Sequence, residues 1–123
     1  MAEEIIIRVF DIIGSPLCVS TDDGQIIHDK IAPLLREGKK ASVSFAKVET
    51  IISTFLNAAI GQLYGEFTDE QIKTFLSVID MEQSDLALLK RVVDNARIYF
   101  ANREKFDQSW KQEIEEGDEG DEE

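Results

Sequence analysis

The chain has 123 residues, a formal net charge of -12 and a single cysteine. This length fits one ordinary domain, and one cysteine excludes both an internal disulfide and a zinc cluster built from cysteines. The apolar runs are shorter than the ~20 residues that cross a bilayer, and the acidic start MAEEIIIRVF is unlike a signal peptide. We therefore expect a cytoplasmic protein that does not insert into membranes.

The negative charge is concentrated at the C-terminal end of the chain. Residues 111–123, KQEIEEGDEGDEE, hold eight acids and one lysine, whereas the other 110 residues hold 17 acids and 12 bases. So many like charges repel one another and bury nothing. The pattern predicts a folded domain over residues 1–110 and a disordered acidic tail. The tail either solubilises the protein or serves as an autoinhibitory arm or a docking arm for a basic partner. Because the bases are scattered, nucleic-acid binding is disfavoured.

The first half of the domain is predicted to contain two extended segments and a helix. Residues 4–13, EIIIRVFDII, are rich in β-branched residues and predict a strand. Residues 17–20, LCVS, predict a short second strand or an extended link. A helix is then predicted from Asp22, as N-cap residue with Gln25 completing a capping box, to Gly38 in the position that follows a C-cap.

Two further strands alternate with helices in the second half. Short apolar runs predict strands at residues 41–45 and 75–80, and helical spacing predicts helices over residues 54–66 and 84–102. Between them, TDEQ at residues 68–71 is a cap for one short turn. Regular alternation of strands and helices predicts an α/β domain, with a central mixed or parallel sheet of about four strands and helices packed on it.

The sequence contains no positive sign of catalysis, and we expect a protein that is not an enzyme. His28 is the only histidine, and nothing indicates that it meets Cys18. We expect Cys18 to be a small buried thiol and His28 a partly exposed helix residue. Ser53 is not part of a Gly-x-Ser-x-Gly elbow, and neither a Gly-rich phosphate loop nor metal-ligand spacing is present. We therefore predict no catalytic, cofactor-binding or metal-binding residues.

One hydroxyl pair stands out in the stretch VETIISTFLNAAIGQLYGEF. Ser53 and Thr54 fall where an extended segment gives way to a helix. Either can act as a helix cap, worth about 1 kcal/mol. Either can also carry a phosphate or contact a partner, because a helix start tolerates negative charge. Asn57 follows one turn later and, as a weak helix former, either bonds a neighbouring loop or meets a partner.

The same region carries a resemblance to a known family. The block SVSFAKVETIISTFLNAAIGQLYGEF is similar to the central block of STAS domains, the fold of bacterial anti-sigma-factor antagonists. It resembles more closely the small bacterial STAS-like proteins of the DUF4325 group. The residues that carry this second resemblance are Ser44-Phe45, Val48, Phe55-Leu56-Asn57 and Gly61-Gln62-Leu63-Tyr64-Gly65. The similarity covers roughly residues 4 to 101 of the chain.

This resemblance implies a STAS-like fold and a regulatory role. On the antagonist pattern, Ser53 matches the serine that antagonists carry phosphorylated, and Thr54 matches the next residue. Ile52 and Phe55 replace the acid and the glycine that help shape the kinase site in antagonists. The implied partner is a regulatory protein of the histidine-kinase-like ATPase class, a serine kinase, bound through Ser53, Thr54 and Asn57. The alternative is a sensor domain for a small ligand or nucleotide; the oligomeric state stays open.

Overall fold

The computed structural model describes residues 4–101, a range that contains both strands and helices. In chain order the elements are β1 (Glu4–Arg8), α1 (Val9–Ile13), β2 (Leu17–Cys18), α2 (Thr21–Arg36), β3 (Lys40–Ser44), β4 (Thr50–Ile51), α3 (Ser53–Ala59), a 3-10 helix (Gly61–Gly65), α4 (Asp69–Phe75), β5 (Leu76–Ile79) and α5 (Gln83–Ala101). The predicted boundary at residues 110 and 111 and the acidic tail lie outside the described residues.

Two small parallel sheets form the strand layer. The larger has the order β1-β3-β5, with Ile7 beside Val43 and Val43 beside Val78. The smaller pairs β2 with β4, so that Cys18 lies beside Ile51. The predicted α/β class is confirmed. About four strands were expected, and the described residues contain five, divided between the two sheets.

The core lies between one face of the larger sheet and the helices. Ile7 and Val43 of the sheet are buried there with Ile31 of α2 and Phe55 of α3. On the other face of β3, Ser44 is also buried, and its hydroxyl donates to the Asp80 carboxylate at 2.7 Å. The central strand is therefore buried on both faces, with apolar packing on one and the bonded Ser44 hydroxyl on the other.

Residues 9–13 form a helix, so the strand predicted over residues 4–13 is wrong in its second half. The strand stops at Arg8, and Val9 is fully buried as the chain turns into α1. Gly14 closes this single turn in the left-handed conformation, φ 70°, and its N–H donates to the Phe10 carbonyl at 2.8 Å. Burial of Val9 overrides the β propensity of this segment, as tertiary packing often does.

The first long helix, α2, has a different start and the predicted end. Its N-cap is Ser20, whose hydroxyl accepts from the Asp23 N–H at 3.0 Å, so the predicted Asp22 cap is wrong. At the other end Gly38 adopts φ 72° and donates to the Leu35 carbonyl at 3.1 Å. This is the left-handed position that the sequence predicted, because glycine adopts it without a Cβ clash.

The helix predicted over residues 54–66 is shorter than expected. α3 ends at Ala59, and a 3-10 helix follows from Gly61 to Gly65. Glycine is a poor α-helix residue, and the Leu63 N–H donates to the Ile60 carbonyl three residues back, the bonding pattern of a 3-10 helix. The capping role of residues 68–71 is confirmed, since Thr68 and Gln71 form a capping box at the start of α4.

None of the helices in the described part of the chain combines the length and the apolar character that crossing a membrane requires.

Candidate functional site

The Ser53 corner lies where the β2–β4 pair gives way to α3. We use this name for Leu17, Val19, Ile52, Ser53, Thr54 and Asn57. The Ile52 N–H donates to the Cys18 carbonyl at 3.1 Å, which holds the end of one short strand against the other. Ile52 is extended and acts as the N-cap residue of α3. The backbone therefore places Ser53 and Thr54 in the first turn of the helix, just past the strand pair.

Neither hydroxyl of the pair caps the helix, so the cap interpretation is wrong. The N-cap position belongs to Ile52, which has no side-chain acceptor, and α3 starts without a side-chain cap hydrogen bond. Ser53 and Thr54 lie inside the helix rather than at the flanking position from which a cap accepts. Both side chains are exposed, and neither hydroxyl makes a hydrogen bond within residues 4–101. The described fold does not use these two hydroxyls.

Asn57 extends the same exposed side of α3. It lies four residues after Ser53, a spacing that places both on one face of a helix, and its side chain is exposed. Its Oδ1 covers Gly61, 3.3 Å from the position that a Cβ would take there. Among the described residues it makes no hydrogen bond to a neighbouring loop. Its proposed contact with a partner stays a prediction.

Exposed apolar side chains border the hydroxyl pair. Leu17 is 46% exposed and Val19 is 44% exposed, although both flank the fully buried Cys18. Ile52, immediately before Ser53, is 38% exposed. Apolar side chains beside unbonded hydroxyls give this surface the composition of a small protein interface, with apolar contacts and polar groups that fix orientation.

Cys18 lies beneath this surface and is chemically protected. It is fully buried, and burial is the main cause that raises its pKa from 9.0 to about 12, with smaller contributions from Asp23 and Asp85. A thiol with such a pKa stays neutral at physiological pH and is a poor nucleophile. The predicted inert, buried thiol is confirmed in its burial, and the charged groups that act on it are these two aspartates and not His28.

His28 is buried rather than partly exposed, so that expectation is wrong. Only 6% of the residue is accessible, and its ring lies between two carboxylates. Nε2 is 2.8 Å from Oε2 of Glu66, and Nδ1 is 3.0 Å from Oδ1 of Asp29. The sequence alone gave no signal for this arrangement. Glu66 is 38 residues away from His28 in the chain, and in the sequence it looks like any other surface acid.

The His28 cluster joins α2 to the end of the 3-10 helix, and its polar groups are bonded to one another. The Gln25 amide donates to Asp29 at 3.0 Å and lies 3.2 Å from Nδ1 of His28. Gln62 donates to the Gln25 carbonyl oxygen at 2.9 Å. The hydrogen bonds to His28 and Gln25 lower the pKa of Asp29. Polar groups that bond to a buried histidine and to one another satisfy its ring and stabilise its packing, which makes this cluster a structural clamp.

The residues that could perform chemistry remain apart. Residues 4–101 contain no group of three or more histidine, cysteine, aspartate or glutamate side chains placed to hold a metal ion. Cys18 is sealed beneath the corner and His28 is bonded to carboxylates on both ring nitrogens. At the Ser53 corner, by contrast, Ser53, Thr54 and Asn57 are exposed and have unbonded polar atoms within residues 4–101, so this surface can bind or be modified.

Comparison with known proteins gave one finding. The family model described as a STAS-like domain of unknown function (DUF4325) matches residues 23–86, just over half of the chain. The matched range contains most of α2 and all of β3, α3 and β5, and with them Ser53, Thr54 and Asn57. No curated protein and no solved structure matches the chain significantly.

Proposed function

Because the chain belongs to the STAS-like domains of unknown function (DUF4325), we propose that it is a cytoplasmic regulatory module that acts by binding another protein and not by catalysis. The binding surface is the Ser53 corner. The partner is a regulatory protein, of the histidine-kinase-like ATPase class to which anti-sigma-factor antagonists are coupled. Ser53 or Thr54 is the residue that such a partner modifies.

The observation that carries this proposal is the pair of unbonded hydroxyls among exposed apolar side chains. A hydroxyl that caps a helix has a structural reason to be there, but Ser53 and Thr54 have no such role. Leu17, Val19 and Ile52 beside them expose apolar surface to water, which is unfavourable by ~25 cal/mol for each Å² left uncovered. A protein that covers this surface would gain that free energy and bond the hydroxyls.

The position of the hydroxyls also suits control by phosphorylation. A phosphate adds about -1.5 to -2 charges, and the first helical turn of α3 presents unpaired N–H groups and the positive end of the helix dipole. The fold therefore tolerates the modification. A partner that buries the corner must then desolvate or pair the new charge, which changes its affinity. The modification acts on binding and leaves the domain folded.

Site-specific photo-crosslinking in the native host tests where partners bind. A benzoylphenylalanine at Asn57, on the exposed side of α3, should yield a defined crosslinked product of higher mass. The control position is Thr74, an exposed residue in the last turn of α4 just before β5. Thr74 comes just before β5, at the amino end of a strand, whereas Ser53 comes just after the carboxyl end of β4. No product at Asn57, or the same products at both positions, would contradict the proposal.

Mass spectrometry of the protein isolated from its host tests the regulatory step separately. We expect a phosphorylated fraction whose fragment ions map to Ser53 or Thr54. A fully unmodified protein that still crosslinks through Asn57 would retain the binding surface and remove phosphorylation from the proposal.

A further inference from the structure

A cleft between α4 and α5 lies apart from the Ser53 corner and serves no role in the proposed interaction. Its volume is about 440 Å³. Its apolar lining comes from the end of α3, from α4, from β5 and from α5: Ile60, Ile72, Leu76, Val78, Leu89 and Val93. Sites for small organic ligands typically have volumes of ~300–1,000 Å³ and mostly apolar walls. The cleft thus has the size and lining of a binding site for a small molecule.

The cleft is also lined by side chains with hydrogen-bond donors that have few acceptors among the described residues. Arg97 of α5 reaches across to α4, where its Nε donates to the Asp69 carboxylate at 2.9 Å. A guanidinium has five N–H groups, so the others remain available. Lys73 also lines the cleft, is exposed, and has no ion pair within residues 4–101. Two cationic residues therefore line the same cleft, Lys73 from α4 and Arg97 from α5.

Tyr64 adds a third donor at the same opening. It is partly buried, and no hydrogen bond to its hydroxyl is found in the described part of the chain. Burial is the main cause that raises the pKa of Tyr64, and the charges of Asp69 and Arg97 act on it as well. Tyr64 lines the same cleft as Arg97 and Asp69, and with its raised pKa the hydroxyl keeps its proton at neutral pH. A partly desolvated hydroxyl without a partner is costly, and a ligand oxygen would satisfy it.

We propose that this cleft binds a small amphipathic carboxylate, with its apolar body on the Leu76 and Val93 walls and its carboxylate bonded to Arg97 and Tyr64. A carboxylate accepts two parallel bonds from a guanidinium, a geometry that a single-atom acceptor cannot match. Asp69 occupies one edge of Arg97, and Glu70 lies at the rim. Because these two acids offset the two bases, the carboxylate is recognised by donor geometry and not by the net charge of the opening.

Binding of three eight-carbon compounds tests the proposal. Octanoate, octanol and octylamine share the apolar chain and differ in the head group. In a titration followed by amide chemical shifts, octanoate should perturb Leu76, Val78 and Val93, with an affinity about tenfold higher than that of octanol. No saturable shift with octanoate in the millimolar range would overturn the proposal. Equal or stronger binding of octanol or octylamine would overturn the assignment of the head group.

Variants separate this cleft from adventitious binding elsewhere. Arg97→Leu should weaken octanoate binding about tenfold and leave octanol binding unchanged. The matched control is Arg91→Leu on the same helix, where Arg91 is exposed and does not line the cleft. Val93→Trp should fill the cleft and abolish binding of both compounds. If that variant does not fold, Tyr64→Phe, which keeps the ring and removes the hydroxyl, should still weaken octanoate binding. Octanoate affinity equal in wild type, Arg97→Leu and Tyr64→Phe would overturn the proposal.

Discussion

The two faces of α3 differ in what holds their residues in place. On the inner face, Phe55, Leu56 and Ala59 are buried against α2 and the sheet. On the outer face, Ser53 and Asn57 are exposed, and neither makes a hydrogen bond in the described part of the chain. Core packing accounts for the inner face, whereas no described hydrogen bond accounts for Ser53 or Asn57 on the outer face. Residues without a structural reason are the ones to test for a role in binding.

The reactivity of the Cys18 thiol measures whether the region beneath the Ser53 corner stays closed to solvent. Its pKa is raised from 9.0 to about 12, so the reactive thiolate is about a thousandfold scarcer than in an unfolded chain at the same pH. We expect native protein at pH 8 to react with a disulfide reagent at least that much more slowly than protein in urea. Equal rates would show that the corner opens, and would break the contrast between the two faces.

The raised pKa of Cys18 also makes the free energy of unfolding depend on pH. A thiol whose pKa is higher in the folded state stabilises that state below the unfolded pKa, near 9, and the stabilisation is lost as pH rises above that value. Urea unfolding at pH 8 and at pH 10 should show this loss. In Cys18→Ser, which has no thiol to ionise, the change between the two pH values should be smaller.

The next largest effect, on the free energy of unfolding, is expected where the inner face of α3 contacts α2. A Cβ at Gly24 would lie 2.5 Å from the Phe55 carbonyl oxygen and 2.8 Å from the Ala58 Cβ. Gly24→Ala must therefore push α3 away from α2, and we expect a loss of about 3 kcal/mol, the upper range for overpacking, despite the better helix propensity of alanine. Lys30→Ala, at an exposed position of α2, is the control. A stability equal to that of wild type in urea unfolding would contradict this packing.

How much of this could be read from the sequence differs between the two faces. Apolar periodicity correctly predicted the strands near residues 41–45 and 75–80 and the long last helix. The left-handed Gly38 was predictable because few other residues adopt that conformation. The close approach at Gly24 was not, since a glycine in a helix looks alike whether or not another backbone passes beside it. The hydroxyl pair was located correctly, but its expected cap belonged one residue earlier, at Ile52.

The His28 cluster is the other feature that the sequence could not predict, and its contribution to the free energy of unfolding can be measured. His28→Gln removes the 2.8 Å contact with Glu66, and we expect it to cost about 1–2 kcal/mol. Glu66→Gln should cost less in the His28→Gln background than alone, since bonded partners are coupled. Partner binding should be preserved, because the cluster is separate from the Ser53 corner. Strictly additive stabilities would show that the contact does not form in solution.

Asp29 offers a direct reading of the same cluster. Its lowered pKa is caused first by the hydrogen bond from His28. A carboxyl whose pKa is lowered in the folded state stabilises that state above its unfolded value of about 3.8, and this is lost as pH falls through the lowered pKa. An NMR titration of the Asp29 carboxyl should show the pKa returning towards the unfolded value in His28→Gln. An unchanged titration would place the cause elsewhere.

The smallest effect is expected on the outer face itself. Because neither hydroxyl caps α3, Ser53→Ala and Thr54→Ala should each change the free energy of unfolding by less than about 0.5 kcal/mol. Ser20→Ala, which removes the cap of α2, should lose about 1 kcal/mol in the same experiment. A loss at Ser53 as large as that at Ser20 would mean that the hydroxyl serves the fold after all.

The affinity of the crosslinked partner for a charged variant tests the central claim most directly. Ser53→Asp adds an acid to the first turn of α3, where the helix dipole tolerates it, and circular dichroism should show an unchanged fold. Thr74→Asp adds the same charge at an exposed position outside the Ser53 corner. By calorimetry, the account predicts that Ser53→Asp changes the affinity for the partner tenfold or more, while Thr74→Asp does not. Equal affinities for wild type and both variants would contradict it.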